Sequence, residues 1–403
     1  MAKKFLLVWM LAIAFAVFSQ PLLSYAEGPG RSPRPWQKTP AEQLLERDKY
    51  SSSIVCGRCH QEIYNTWKDS LHAQAIEDPI FKTAYLEAYH DTAGEVKSLC
   101  LRCHAPITIA NKDYELKEAI TREGVSCDFC HTLTEVNLDN QDYPFSFELG
   151  LNKRGSLKLK DGASPAHEVV HSPLHQSSLL CAGCHEYKNG NGLSILSTYS
   201  EWKESPYAQE GKQCQDCHMP LVKGKVVKPE IKEATGEYIN LHDITGGHSL
   251  ERLREAVRVE IEEVRRIDDM LQVKVKITNT GSGHMVPTGL PTRKLVLQVR
   301  GKTSKEEIAI GEVVYQKLLL DSNRKEIVKD SEVFYKAKSL AMDNRLAPRE
   351  SRIETFKFPA PKGIESIMLT VVAKVFYKYS PVIMERKEME IELTGDEMLL
   401  PRL

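Results

Sequence analysis

All ten cysteines of this 403-residue chain fall into five Cys-x-x-Cys-His motifs. These are Cys56-Cys59-His60, Cys100-Cys103-His104, Cys127-Cys130-His131, Cys181-Cys184-His185 and Cys214-Cys217-His218. The spacing is that of c-type haem attachment. Two residues between the cysteines put both sulfurs on one side of a single turn, where each can close a thioether onto one vinyl group. The histidine directly after the second cysteine reaches under the ring and offers iron its proximal nitrogen. Zinc ribbons also use paired Cys-x-x-Cys motifs, but zinc does not require a histidine after every pair, and only 13 of the 403 residues are histidine. A disulfide framework belongs to short chains without a core. The expectation is five covalently attached haem c groups, with His60, His104, His131, His185 and His218 as proximal ligands.

The length and a hydrophobic content of 41% allow two domains with cores of their own. A formal net charge of -1 gives no basic field for nucleic acid. Lys3 and Lys4, the apolar run from Phe5 to Phe18 and the small-x-small site Ser24-Tyr25-Ala26 read as a secretory signal peptide over 1–26, removed before Glu27. The apolar run is short for a membrane span, and an uncleaved anchor is the alternative. Export suits the cofactor, because c-type haem is attached outside the cytoplasm, so a periplasmic or extracellular site is expected. No later stretch is long and apolar enough to cross a bilayer, so no transmembrane segment is expected after cleavage.

Prolines at 29, 33, 35 and 40 mark 27–45 as a flexible leader. Residues 46–254 read as a cytochrome domain of short helices and loops built around the motifs. Ile63, Trp67 and Leu71 repeat on one face of a helix expected over Gln61–His72. A second helix is expected over Asp78–Tyr89, loop or hairpin over 137–161, and a short helix over Ser200–Glu204. Leu253, Val257, Ile261 and Val264 share one face of a charged helical segment expected over Leu250–Arg266. Beyond it the pattern turns to strand period at Leu271–Ile277, Leu295–Val299, Ile308–Leu319, Glu332–Lys338, Ile353–Phe358 and Ile367–Tyr379. Strands at this spacing suggest a β-sandwich over 255–403. The fold class expected is α+β multidomain: a mostly helical, loop-rich multihaem cytochrome domain followed by an all-β immunoglobulin-like sandwich.

Several stretches give the chain a family likeness: 56–72 with Trp67 and His72, 101–106, 124–131, 172–186, 201–220 and 281–289. Through them it resembles the multihaem cytochromes of the cytochrome c-554-like group, with an added C-terminal sandwich. The resemblance implies secreted electron-transfer proteins with closely packed, mostly bis-histidine haems. Some such relatives are catalytic and some assemble into extracellular filaments.

Eight histidines lie outside the motifs: His72, His90, His167, His171, His175, His242, His248 and His284. A sixth iron ligand must come from another segment, aimed at the open haem face. His72 sits one helix after the first motif. His167, His171 and His175 recur every four residues and would share one face of a helix; the resemblance favours His167 and His175, with His171 spare. His242 and His248 bracket Gly246-Gly247, where backbone can approach a porphyrin closely; one of them is expected to ligate, and His248 is preferred. His284 lies in the glycine-rich loop 279–289 of a domain without a motif, which would carry it across the interface. His90 is the weakest candidate. The expected distal set is His72, His167, His175, His248 and His284.

An iron with two imidazoles has no position for substrate and can only pass electrons. The function expected is therefore electron relay between a redox-protein donor and acceptor, with no catalytic residue named. Two alternatives stay open. One is an oxidoreductase acting on a small nitrogen or sulfur compound at a five-coordinate haem. The other is a homo-oligomer or filament subunit. A pentahaem nitrite reductase typically carries lysine at its active haem, whereas all five motifs here end in histidine.

Overall fold

Each motif histidine lies in the last turn of a helix too short to be stable alone, or just after one. In the computed structural model the motif helices are Ser53–Gly57, Lys97–His104, Cys127–Thr132, Leu179–His185 and Cys214–His218. The structure describes residues 45–46, 48–140, 142–158, 166–231, 237–304, 306–360, 369–379 and 390–400. The signal peptide expected over 1–26 lies outside them, as does the leader over 27–45 except for its last residue.

Local side chains start these helices. Ser52 caps the first motif helix by accepting from the Ile54 N–H, and Ser126 caps the third by accepting from Phe129. Gln213 and Asp216 form a reciprocal capping box at the fifth. Ser178 ties the last two together: its N–H and hydroxyl both donate to Gln213 Oε1 at 2.9 Å, and its Oγ accepts from the Cys214 N–H at 2.9 Å.

The Gln61 helix spans Gln61–Trp67, shorter than its periodicity suggested, and the next, capped by Asp78, spans Pro79–Asp91. A third lies over Thr198–Lys203. The histidine run of 167–175 is not helical. Glu168–His171 is a strand paired in parallel with Asn152–Gly155, and a 3-10 turn follows over Pro173–Gln176. Val169 and Val170 favour the strand, and Pro173 bars helix continuation back through Ser172.

The helix expected over Leu250–Arg266 ends at Ala256, and Val257–Ile267 is a strand. The apolar residues of that segment fit both periods, and pairing with Met270–Asn279 decides for the strand. Val257, Val259 and Ile261 then point inward and the intervening charges outward. The segment 332–338 holds a short helix, Val333–Lys336, instead of a strand.

Two antiparallel sheets form the C-terminal half. One has the order Ser351–Pro359, Met270–Asn279, Val257–Ile267; the other has Glu307–Tyr315, Lys294–Lys302, Leu369–Lys378, Glu390–Leu400. Leu271, Val273, Val275 and Ile277 of the first sheet share a core with Leu295, Leu297, Val299, Val371, Ala373 and Val375 of the second. Asp396 of the last strand accepts from the Ile261 N–H at 2.7 Å, joining the two sheets along one side.

From Leu44 to Leu403 the chain is one structural unit. The helical half has only small apolar clusters, such as Ile107, Phe129, Leu133, Val136 and Phe145. A third cluster crosses the junction, where Ile195 packs with Leu319, Ile327, Val333 and Ala337. The architecture is mixed helix and strand, α+β. Among the described residues no helix is long and apolar enough to cross a membrane.

Candidate functional site

Four motif histidines are held in the same way. The Nδ1 of His60 bonds to the Val226 carbonyl at 2.7 Å, that of His104 to Ala75 at 3.0 Å, that of His218 to Thr245 at 2.6 Å, and that of His131 to Arg154. A carbonyl only accepts, so Nδ1 carries the proton and Nε2 keeps a lone pair for a metal. Burial pushes the His104 ring down to about 4 against the favourable Ala75 carbonyl and Asp78 carboxylate. It also pushes His72 and His242 down to about 4. His185 is exposed, and crowding by the surrounding protein with the neighbouring His72, His218 and His284 lowers it below the ordinary histidine value. These rings are neutral at pH 7, the form that binds metal.

The other histidines meet the motif rings from separate segments. His167 is 6.1 Å from His60 between ring centres, His72 is 6.3 Å from His185, and His284 is 6.4 Å from His218. Two rings approach His131: His175 at 5.5 Å and His242 at 6.4 Å. An imidazole nitrogen lies about 2.0 Å from its metal and about 1.1 Å from its own ring centre, so two imidazoles on opposite faces of one iron have centres about 6.2 Å apart. Four of these separations lie within a few tenths of an ångström of that value. The donor set and its spacing fit the haem iron that the motifs call for.

His175 and His242 differ in their free nitrogens. His175 Nε2 lies 3.0 Å from the Cys130 carbonyl, and its Nδ1 is buried without a hydrogen-bond partner. The His242 Nδ1 donates to Asn240 O at 2.7 Å, which leaves Nε2 available as in the motif histidines. His104 is the exception: the ring stacked on it, at 3.6 Å, belongs to Phe81. His248 lies on Tyr379 with centres 5.3 Å apart, and Asp78 acts on both His248 and His104. His90 is 93% exposed beside Asp91. His171 Nε2 is buried without a partner.

Backbone ties set these positions. The Val125 N–H donates to the His72 carbonyl at 2.8 Å, and the Trp67 indole donates to the Val125 carbonyl at 3.0 Å. Gly124 has φ +64°, and a Cβ there would lie 2.3 Å from the His72 carbonyl oxygen. Only glycine permits this approach. Near the fifth motif, a Cβ on Gly281 would lie 2.4 Å from the Glu255 carbonyl oxygen, so the loop carrying His284 can lie against the end of the Leu250–Ala256 helix.

The motifs also meet one another. The Cys56 side chain lies close to that of Cys127, Cys103 to Cys184, and Cys181 to Cys214. The attachment points of motifs 1 and 3, 2 and 4, and 4 and 5 are therefore adjacent. A buried ion pair, Asp128–Lys153, anchors the third motif, and Asp128 also accepts from the Ser51 N–H at 2.6 Å.

Residues 55–132 match the family model described as cytochrome c554 and c-prime. Among solved structures, a penta-heme cytochrome c552 from Thermochromatium tepidum superposes with a TM-score of 0.68 at 22% identity, over 87% of this chain and 99% of that one. A β-glucosidase from Kluyveromyces marxianus overlaps 36% of this chain and 14% of its own at 11% identity, and its TM-score of 0.16 carries no argument. No curated protein matches the sequence.

Proposed function

We infer that the chain is a multihaem c-type cytochrome whose five motifs attach five haem c groups. We propose that it is an electron relay. The supporting observation is the set of imidazole pairs about 6 Å apart contributed by separate segments: His60–His167, His72–His185, His131–His242 and His218–His284. Bound haem supplies reversible one-electron exchange at iron, and a second imidazole closes the position a substrate would need. In this reading His242 serves opposite His131, because its Nε2 is free and its spacing matches two metal–nitrogen bonds. His175 stays beside it, donating to the Cys130 carbonyl. His248 is assigned to His104, on the strength of their common neighbour Asp78.

The approach of Cys56 to Cys127, of Cys103 to Cys184 and of Cys181 to Cys214 supports short electron steps within two groups of attachment points, motifs 1 and 3 and motifs 2, 4 and 5. Donor and acceptor are proposed to be redox proteins, and such encounters are small and weak. The chain is proposed to be exported by the segment over 1–26 and to act in the periplasm or outside the cell. The two C-terminal sheets are proposed to form an immunoglobulin-like sandwich that carries His284 to the fifth motif.

The test is low-temperature electron paramagnetic resonance of the oxidised protein, combined with a stopped-flow reduction. The relay reading expects low-spin ferric signals from every paired site and complete reoxidation by a protein acceptor. A chain dominated by high-spin iron would refute it. Phe81 on His104 favours a second reading confined to that motif, in which one site is open and binds a small nitrogen or sulfur compound. Cyanide or nitric oxide binding at a single site that His248→Ala leaves unaltered would select this reading.

A further inference from the structure

We infer that Glu201 is the positioning residue for His284, and that with Arg345 it clamps the sandwich loop that faces the fifth motif. The inference rests on the proposal that His284 stands opposite His218. Glu201 comes from the Thr198–Lys203 helix of the cytochrome half, whereas Arg345, Met285 and Thr288 belong to the C-terminal half. One carboxylate oxygen accepts from the Thr288 hydroxyl at 2.7 Å and from the Met285 N–H at 3.3 Å. The other accepts from the Ser197 hydroxyl and from Arg345 Nη1, each at 2.7 Å. Arg345 also donates to the Pro287 carbonyl at 3.1 Å and to both oxygens of Asp343 at 2.8 Å.

The clamp therefore holds the loop at 285, 287 and 288, directly after His284. On the other side, the Asn279 side-chain amide donates to the His284 carbonyl at 3.0 Å. Glu201 and Arg345 side chains are only 6% and 5% exposed, so water cannot replace either partner cheaply. A buried pair gives little net stability compared with apolar residues of the same volume. What it provides here is a fixed backbone on both sides of one imidazole, the kind of outer support that keeps a metal ligand on its metal.

A merely structural ion pair would lower thermal stability when cut and leave the iron's ligands unchanged. A positioning pair also changes the spin state. The test compares His284→Ala, Glu201→Gln and Thr288→Val as purified holo-proteins by low-temperature spectroscopy of the ferric state. His284→Ala is expected to move about one fifth of the iron from low to high spin, one site among five motifs. Glu201→Gln is expected to move up to the same fraction at the same site, and Thr288→Val, which keeps the ion pair, a smaller fraction. If His284→Ala changes nothing, the ligand assignment fails and the inference falls with it. If His284→Ala shows the loss while Glu201→Gln keeps full low-spin intensity, the assignment stands and the positioning role is overturned. Should Glu201→Gln yield no folded protein, an unaltered Thr288→Val spectrum overturns it instead.

Discussion

The Nδ1 atoms of His60, His104, His131 and His218 all face backbone carbonyls, and this fixes tautomer and ring direction before any metal arrives. Ring planes then differ from site to site. His218 and His284 are within 9° of parallel, whereas His72 and His185 cross at 66°. Crossed imidazoles act almost equally on two iron d orbitals and leave them nearly degenerate. The His72–His185 site is therefore expected to give a strongly anisotropic low-spin resonance that disappears in His72→Ala; a rhombic spectrum unaffected by that substitution would refute the pairing. Gly124→Ala is expected to cost on the order of 1–3 kcal/mol, because the residue holds φ +64° against the His72 carbonyl. A melting temperature equal to the parent's would show that the approach is relaxed. His284 was singled out in the sequence because a glycine-rich loop in a motif-free half needs a reason for a histidine, and its ring lies 6.4 Å from that of His218. Between His242 and His248 the sequence preferred His248; the structure brings His242 to His131 and lays His248 on Tyr379, because which ring turns inward depends on partners such as the Asn240 carbonyl that the sequence does not show.

The elements of the cytochrome half depend on cross-ties more than on their own length. Ser178 spans two motif helices, and the Ile195 cluster spans the junction. Ile195 is fully buried, so Ile195→Ala is expected to destabilise the protein by about 2–4 kcal/mol, read by chemical denaturation. A loss below about 1 kcal/mol would mean that the junction core carries little weight. Strands with clean alternation, such as Met270–Asn279, were legible in the sequence. Val257–Ile267 was not, because Val257, Ile261 and Val264 satisfy a helical face as well as a strand face, and only the neighbouring strand decides. The histidines of 167–175 misled for a related reason: their four-residue spacing suggests a helix, but valines and a proline interrupt it. Glu390–Leu400, the edge strand beside Leu369–Lys378, was missed among its many acidic residues.

Across the whole molecule, the two halves are joined by buried charge as well as by apolar contact. Burial alone would raise the Glu201 and Asp343 carboxyls; Arg345 with the Ser197 and Thr288 hydroxyls outweighs it at Glu201, Arg345 outweighs it at Asp343, and both are held below the ordinary carboxylate range. Their contribution is fully present above the unfolded carboxylate values and is lost as pH falls through the lowered folded values. Stability is expected to drop on acidification below about pH 4.5, less steeply in Asp343→Asn than in the parent. Equal slopes in thermal melts at stepped pH would place the acid sensitivity elsewhere. The motifs declared the cofactor and its number at once, because covalent attachment leaves a local signature. Which attachment points are neighbours was not legible, since contacts such as Cys103–Cys184 join residues far apart in the chain.

The central claim is that five thioether-bound haems organise the cytochrome half. Pyridine haemochrome absorbance per mole of purified polypeptide tests it most directly. Five c-type haems per chain is the predicted result; a chain without the c-type haemochrome band, or with zinc bound by its paired thiols, would contradict it.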